Sequence, residues 1–227
     1  MLQEKVIVVT GASGALGKVV AETALARDAR VAAIDFAATQ AGPAPQRLEL
    51  GGVDLTDAAQ AKTAIDAAAA HFGGIDALIN IAGGFAFETV ADGDPKTWAR
   101  MYALNVTTAL NASRAAIPHL LASPAARIVN IGAFGALQAA SGMGAYAASK
   151  AGVHRLTEAL AAEHKGRITV NAVLPSIIDT AANRDSMPKA DFSRWVSPQE
   201  LADVILFLAS DAASAVTGAL IPVTGRV

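Results

Sequence analysis

Residues 6–17 read VIVVTGASGALG, and this stretch decides the predicted fold. Its β-branched start indicates a buried strand, and the Thr-Gly pair that follows indicates a turn. Gly11, Gly14 and Gly17 leave the backbone free to turn tightly and to approach a pyrophosphate at the start of a helix. An ordinary tight turn is the alternative, but the position at the first strand–helix junction favours a nucleotide site.

A carboxylate closes the second predicted strand, RVAAI at residues 30–34. Asp35 can accept both ribose hydroxyls of an adenosine, and it would repel a 2′-phosphate. Neither Ser13, Gly14 nor Phe36 adds a cation that would offset this repulsion. The sequence therefore favours NAD(H) over NADP(H) as cofactor, with a solvated turn residue as the alternative role of Asp35.

Strand-like and helix-like segments alternate along the chain. Strands are predicted at 6–9, 30–34, 47–50, 75–83, 126–132, 167–175 and 218–223, and helices at about 16–27, 57–72, 95–121, 143–164 and 198–210. The helix over 95–121 is either broken or continuous across Asn105. The strands are continuously apolar, as in a parallel sheet that is covered on both faces. We expect one α/β domain over residues 1–227, a Rossmann fold whose doubly wound parallel sheet has about seven strands with helices on both faces.

Two stretches are predicted to be irregular. Residues 39–46 contain glycine and prolines and indicate a loop. Residues 176–197 are polar and long for a plain connection, and loops of this length are usually functional lids or disordered.

The composition excludes several classes of protein. With 18 basic and 20 acidic residues and no dense basic cluster, nothing supports nucleic-acid binding. The absence of cysteine excludes disulfides and thiol catalysis. No apolar run reaches the roughly 18 residues that span a bilayer, and the N-terminus lacks the features of a signal peptide. We therefore expect a cytoplasmic protein that acts on a small molecule, without a membrane partner.

A second candidate site lies in GAFGALQAASGMGAYAASK, residues 132–150. Tyr146 and Lys150 are one helical turn apart, so their side chains share a helix face. A nearby ammonium stabilises a phenolate and lowers the pKa of the tyrosine, which suits acid–base chemistry near neutral pH. For the pair alone, an interfacial Tyr beside a surface Lys is the alternative interpretation.

With these motifs, the chain resembles the short-chain dehydrogenases/reductases along essentially its whole length. Their further motifs are matched by Asp54 with Leu55, by NIAG at 80–83 with Ile81 in place of Asn, by Asn105, and by PSIIDT at 175–180 with Ser in place of Gly. The resemblance implies an oxidoreductase that moves hydride between nicotinamide and a small carbonyl, alcohol or imine. It also implies that Tyr146 exchanges the proton and that Lys150 holds the nicotinamide ribose, with Asn105 as the third catalytic residue.

The residue patterns and the resemblance together predict one set of cofactor contacts. It comprises Gly11, Ser13, Gly14, Ala15, Leu16, Gly17, Asp35, Phe36, Asp54, Leu55, Asn80, Ala82, Gly83, Tyr146, Lys150, Pro175, Ile178 and Thr180.

One expected residue is missing from the catalytic stretch. Most of the family carries a Ser upstream of the Tyr, which hydrogen-bonds the substrate oxygen, and here that position is Ala133, between Gly132 and Phe134. Loss of such a donor costs about 10²–10³ in rate. Three explanations stay open: another hydroxyl, of which Ser141 is the nearest, a substrate other than a simple carbonyl, or a catalytically silent dinucleotide-binding protein.

A closer resemblance bears on this choice. Residues 14–17, 132–156 and 173–195 are similar to the dihydropteridine reductases, which also carry Ala at the position of Ala133. That branch reduces a quinonoid dihydropterin with NADH, and the proton goes to a ring nitrogen. Because a quinonoid diimine is already electrophilic, polarisation by a Ser hydroxyl matters less. The resemblance implies such a substrate as an alternative to a carbonyl.

The stretch 176–195 is expected to lie over the nicotinamide, because it leaves the sheet at the carboxyl end of a strand. Met187, Phe192 and Trp195 are predicted to close an apolar pocket over a planar substrate, with Asn183 and Arg184 as polar contacts. For Trp195, anchoring the loop to the core is an equal alternative. With Ala133 and Ser141, these residues form the predicted substrate pocket.

The remaining predictions concern metals and assembly. His71, His119, His154 and His164 show no metal-like spacing, and we expect no metal and no catalytic histidine, with His154 and His164 facing solvent or a subunit. The Ala-rich helices at about 105–121 and 143–164 can pack closely, and the resemblance implies a homodimer or homotetramer.

Overall fold

In the computed structural model, residues 2–38 and 44–227 are described. Within them, seven parallel strands form one sheet in the order β3-β2-β1-β4-β5-β6-β7. The strands are β1 (Val6–Thr10), β2 (Arg30–Ile34), β3 (Arg47–Leu50), β4 (Ala77–Asn80), β5 (Ala126–Ile131), β6 (Ile168–Pro175) and β7 (Leu220–Val223). The predicted single-domain, doubly wound α/β fold is confirmed.

Seven α-helices lie in these described residues. They are α1 (Ala15–Leu25), α2 (Ala58–Phe72), α3 (Pro95–Tyr102), α4 (Thr108–Leu120), α5 (Gly144–Glu163), α6 (Ala181–Ser186) and α7 (Pro198–Leu208). None of the helices that the structure describes is both long and apolar enough to cross a membrane.

The two faces of the sheet carry separate hydrophobic cores. In β1, Ile7 and Val9 belong to the core beneath α1 and α7, whereas Val6 and Val8 belong to the core beneath α2, α4 and α5. Successive side chains of a strand point to opposite faces, so a strand that is buried on both sides must be apolar throughout. This arrangement explains the uninterrupted apolar runs in the sequence.

The strand order reverses between β1 and β4, which continue the sheet in opposite directions. In open α/β sheets, the crevice outside the carboxyl ends of the strands at such a switch point is where ligands bind. Gly11, which follows β1, and Ile81 and Ala82, which follow β4, meet at this point. The topology therefore places the glycine-rich stretch at the expected crevice.

The structure decides one detail of the sequence-based prediction and corrects another. The helix predicted over 95–121 is broken at Asn105, because it consists of α3, a π-helical turn (Ala103–Thr107) and α4. The stretch 176–197 is not irregular throughout, because it contains α6 and a 3₁₀ turn (Phe192–Arg194). Thr180 caps α6 by accepting the N–H of Asn183. Of the loop predicted at 39–46, residues 39–43 lie outside the described residues.

Candidate active site

The glycine-rich loop after β1 packs directly on the residues after β4. Gly11 has a φ of +66°, and a Cβ at this position would lie 2.8 Å from Cα of Ala82. The Thr10 hydroxyl accepts the N–H groups of Ile81 (3.1 Å) and Ala82 (3.2 Å). A side chain at Gly17 would collide with the carbonyl of Gly11. These contacts explain why the loop requires glycine at both positions.

The N-cap residue of α1, Gly14, provides no capping side chain, and α5 likewise starts without a side-chain cap. In contrast, Asp57 caps α2, Asp94 caps α3 and Ser197 caps α7. Unsatisfied N–H groups and the positive end of a helix dipole form a binding site for anions. The cradle after β1 therefore fits the pyrophosphate of a dinucleotide.

Asp35 lies beside this cradle, at the end of β2. Its carboxylate accepts the N–H of Ser13 (2.8 Å) and the N–H of Ala37 (2.8 Å). The neighbouring Phe36 is 75% exposed. The carboxylate of Asp54 accepts the N–H and the hydroxyl of Thr56 (2.8 and 2.7 Å). Asp35 is thus tied to the glycine-rich loop and to the turn after β2, and its contact with a cofactor stays a prediction.

Lys150 on α5 is buried, and its ammonium donates a hydrogen bond to the carbonyl of Ile131 at the end of β5 (2.8 Å). Burial lowers the pKa of Lys150 to about 8. A Cβ at Gly83 would lie 3.5 Å from Nζ of Lys150, so the lysine reaches the crevice next to the strand end of β4. The predicted motif is therefore brought to the carboxyl edge of the sheet.

Tyr146 lies one turn earlier on α5. The ring of Phe85 packs edge-on against it, with ring centroids 4.9 Å apart. Burial raises the pKa of Tyr146 to about 12. The expectation that a nearby ammonium lowers this pKa is wrong for the structure, because removing the phenolate from water dominates and the ammonium of Lys150 binds the carbonyl of Ile131.

Asn105 connects the crevice to α5. It lies in the π-helical turn, and its carbonyl oxygen accepts the N–H of Gly84 (3.0 Å). Its amide group donates to the carbonyl of Gly84 (3.1 Å) and to the hydroxyl of Ser149 (2.9 Å), next to Lys150. A Cβ at Gly83 would lie 2.5 Å from Oδ1 of Asn105. Asn105 therefore holds Gly84, in the loop after β4, against the helix that carries Tyr146 and Lys150.

The side chain of Asn80 lies on the face of the sheet that α4 and α5 cover. Its amide donates to Asn130 on β5 (2.9 Å) and to Ser113 on α4 (3.1 Å), and Asn130 donates in turn to Thr157 on α5 (2.9 Å). Among the described residues, Oδ1 of Asn80 has no hydrogen-bond partner. The amide thus links β4 to β5, and a contact between Asn80 and the cofactor stays a prediction.

His154 was missed as a site residue, and its predicted exposure is wrong. It is only 2% exposed, and its Nε2 accepts the N–H of Ala133 (3.3 Å). Burial, aided by the positive charges of Arg155 and Lys150, lowers the pKa of His154 to about 4. The only available sequence signal is its place one turn after Lys150, since the contact to Ala133 depends on how β5 and α5 cross.

The predicted lid is held together by its own side chains. Trp195 is 5% exposed, and its ring lies 4.8 Å from that of Phe192, so it anchors the loop to the core. The Asn183 amide donates to the carbonyl of Ile178 (2.8 Å), and Arg184 pairs with Asp179. Asn183 and Arg184 therefore have partners within the loop, and their predicted contacts to substrate stay untested.

The other predicted pocket residues are less constrained. Met187 and Phe192 are half-buried, and Ser141 is exposed in the turn before α5.

Two of the predicted cofactor contacts lie at the end of β6 and just after it. Pro175 ends β6 and is buried. Ile178 pairs with Val196 in an isolated parallel bridge.

A parallel, doubly wound sheet with an uncapped glycine-lined helix start at its switch point defines a dinucleotide-binding Rossmann protein. A family model described as short chain dehydrogenase matches residues 5–191 of the chain. The chain belongs to the short-chain dehydrogenase family, whose members are oxidoreductases that bind a nicotinamide dinucleotide.

Relatives match over nearly the full chain. A 2-(S)-hydroxypropyl-CoM dehydrogenase 3 from Xanthobacter autotrophicus is 34% identical over 246 residues, covering 99% of this chain and 96% of that protein. A 3-oxoacyl-[acyl-carrier-protein] reductase from Thermotoga maritima is 30% identical over 240 residues, covering 99% and 98%. The structure of a 3-ketoacyl-(acyl-carrier-protein) reductase from Brucella melitensis complexed with NADH superposes with a TM-score of 0.86 at 28% identity, covering 100% and 99%.

Proposed function

We propose that this protein is an NAD(H)-dependent oxidoreductase that interconverts a small carbonyl, or imine, and its reduced form. The observation that carries the proposal is the buried Lys150 ammonium, fixed on the carbonyl of Ile131 one helical turn from Tyr146. Burial of an ammonium costs the loss of its hydration. A buried ammonium beside a phenol is typical of an acid–base site when it lies at the crevice of a dinucleotide fold.

In this proposal, Tyr146 is the proton donor in the direction of reduction. Its pKa of about 12 keeps the phenol protonated at neutral pH, so the proton to be transferred is present on the hydroxyl. The pKa of Lys150, about 8, leaves the amine charged at pH 7, where it offsets part of the cost of forming a buried phenolate. Bound NADH supplies the hydride. Asn105 holds Gly84, in the loop after β4, in place against α5.

The proposed cofactor preference rests on Asp35. Its carboxylate lies at the glycine-rich loop, where it would repel a 2′-phosphate. We expect NADH to bind more tightly than NADPH, and Asp35→Ala to reduce this difference. Titration of both nucleotides by fluorescence tests the preference, and tighter binding of NADPH by the wild type would refute it.

The substrate of the proposed reaction is small and needs little polarisation. The two relatives are named for an alcohol and for an oxoacyl substrate, which makes carbonyl or alcohol chemistry the first candidate. Ala133 offers no hydroxyl to the substrate oxygen, so an activated carbonyl or an imine suits the site better than an unactivated ketone.

A second candidate is a quinonoid dihydropterin, favoured by the aromatic surroundings of Tyr146. Phe85 packs on the Tyr146 ring while 59% exposed, and Phe134, directly after Ala133, is 43% exposed. Flat apolar side chains of this kind can stack on a planar ring. Such a substrate takes its proton on a ring nitrogen and does not need a serine hydroxyl.

One assay separates the candidates. NADH oxidation is followed at 340 nm on a panel of ketones, imines and quinonoid dihydropterin, with Tyr146→Phe as the control. Turnover of ketones or imines that Tyr146→Phe abolishes supports the first candidate, and turnover of the pterin alone supports the second. NADH binding without turnover of any compound would instead indicate a silent dinucleotide-binding protein.

We also propose that the protein forms a homodimer or homotetramer. On α3, which packs against α5, Trp98 is 45% exposed and Tyr102 is 56% exposed. Exposed aromatic side chains near each other are typical of interfaces. Light scattering after size exclusion tests the assembly, and a monomer at micromolar concentration would contradict it.

A further inference from the structure

The end of β5 is attached to α5 by two polar contacts from one helical turn. Lys150 donates to the carbonyl of Ile131 at 2.8 Å, and His154 accepts the N–H of Ala133 at 3.3 Å. The residues that they hold, 131–133, form the segment in which most of the family has its serine. His154 therefore contacts residues 131–133 from α5 but does not belong to the proposed acid–base pair.

Gly132 provides the space for this contact. A Cβ at Gly132 would lie 2.5 Å from Nε2 of His154 and 2.7 Å from its Cδ2. On its other side, the same Cβ would lie 3.1 Å from the Leu174 side chain on β6. The imidazole and the bare backbone of Gly132 thus fit each other, and a larger residue at 132 would displace the ring.

The contact requires a neutral imidazole. An Nε2 that accepts an N–H cannot carry a proton, so the ring must be the Nδ1–H tautomer. Burial and the positive charges of Arg155 and Lys150 favour this form, since they hold the pKa of His154 near 4. A neutral ring also avoids placing a second cation next to the Lys150 ammonium.

We infer that His154 is a positioning residue of the active site, which fixes residues 131–133 against α5 through the N–H of Ala133 and thereby orients the carbonyl that binds Lys150. The kinetic consequences rest on the proposed function, whereas the hydrogen bond and its structural effect do not.

This role limits how the missing serine can be replaced. The backbone N–H of Ala133 is taken by His154, so it does not serve as a substitute donor to the substrate oxygen. The segment acts as a fixed wall beside Tyr146.

The experiment compares His154→Leu, which removes the acceptor, with His154→Gln, whose side-chain carbonyl can accept the same N–H. His71→Gln, on the exposed end of α2, is the matched control. Hydrogen exchange of the Ala133 amide and ¹⁵N shifts of the labelled imidazoles are measured for each protein by NMR. NADH affinity, thermal unfolding and the turnover of whichever panel compound the wild type reduces are measured in parallel.

We expect a wild-type His154 ring with an unprotonated Nε2 at pH 7, and faster exchange of the Ala133 amide in His154→Leu alone. Turnover in His154→Leu should fall roughly tenfold or more, because even a 1 Å misplacement can cost ~10² in rate. Its NADH affinity should stay close to that of the wild type. His154→Gln should recover most of the turnover, and the control should match the wild type.

Three results would overturn the inference: a protonated Nε2, unchanged exchange of the Ala133 amide in His154→Leu, or equal losses of turnover in the Leu and Gln variants. If the wild type reduces no compound of the panel, the proposed function fails, and the exchange and ¹⁵N measurements still decide the role of His154.

Discussion

The nucleotide end and the catalytic end of the crevice are constructed in different ways. At the nucleotide end, geometry depends on missing side chains, since Gly11 contacts Ala82 where a Cβ would not fit. At the catalytic end, geometry depends on buried polar side chains, and Lys150, Asn105 and His154 each bind a main-chain group. The nucleotide end therefore tolerates no added atoms, and the catalytic end tolerates no lost hydrogen bonds.

The largest expected effect separates chemistry from binding. Tyr146→Phe removes the proposed proton donor, so we expect turnover to fall by about 10²–10⁴. NADH affinity should change little, because the glycine-rich loop is untouched. Steady-state kinetics and fluorescence titration measure the two quantities, and a parallel loss of NADH affinity would show that the two ends are not separable.

The second-largest expected effect is a loss of NADH affinity at the nucleotide end. Gly11→Ala places a methyl group against Ala82 and should weaken NADH binding roughly tenfold or more, since 1.4 kcal/mol of lost contact is already tenfold. Overpacking should also lower the free energy of unfolding by about 1–3 kcal/mol.

Gly166→Ala is the matched control for this change. Gly166 has a φ of +78°, close to that of Gly11, but nothing lies within 4 Å of its added Cβ. It should show only the backbone strain of about 1–2 kcal/mol, with unchanged NADH affinity. Equal losses of affinity in both variants would mean that a general effect of backbone strain, not contact with Ala82, weakens NADH binding.

A smaller effect concerns Lys150 and the pH dependence of stability. Its folded pKa of about 8 lies below the ordinary value of 10.5, so the unfolded state binds more protons between these values. Stability should therefore rise with pH, by up to about 1.4 kcal/mol per pH unit between pH 8 and 10. Below pH 8 the full cost of burying the ammonium remains.

Denaturant unfolding of the cofactor-free protein, compared with Lys150→Met, measures this contribution. The difference in unfolding free energy between the two proteins should change over pH 8–10 and stay constant from pH 6 to 7. A constant difference across the whole range would show that Lys150 is not buried as an ammonium.

The smallest effect sharpens the role of Ala133. Ala133→Ser restores a hydroxyl and should increase the turnover of ketones, by about tenfold rather than the full 10²–10³ that a native donor contributes. Turnover of a quinonoid substrate should be unchanged. Comparison of the two rates in the same variant tests this, and an equal gain on both would show that the hydroxyl acts on the pocket as a whole.

The nucleotide end was predictable from the sequence because its constraints are local. The run at 6–17 and Asp35 encode a strand, a tight turn and a helix start within a short segment. The apolar strands likewise reveal a sheet that is covered on both faces. Fold class, strand number and the location of the Tyr146–Lys150 pair followed from such patterns.

At the proposed catalytic end, the contacts of the side chains were not predictable from the sequence. The burial of His154 depends on Gly132, a residue on another element, and on the crossing of β5 and α5. The rise in the pKa of Tyr146 depends on the packing that surrounds it. Within 176–197, the anchoring of Trp195 by Phe192 arises from the three-dimensional path of the loop.

The bridge between Ile178 and Val196 has a consequence for how this protein can change. It joins the two ends of the segment that carries α6, and Asp179 adds a hydrogen bond to the carbonyl of Val196 (2.8 Å). With the ends fixed, doubling the length of such a loop costs only about 0.6 kcal/mol in closure entropy. The segment between these ends can therefore change in length at little cost while the sheet, the glycine-rich loop and α5 stay as they are.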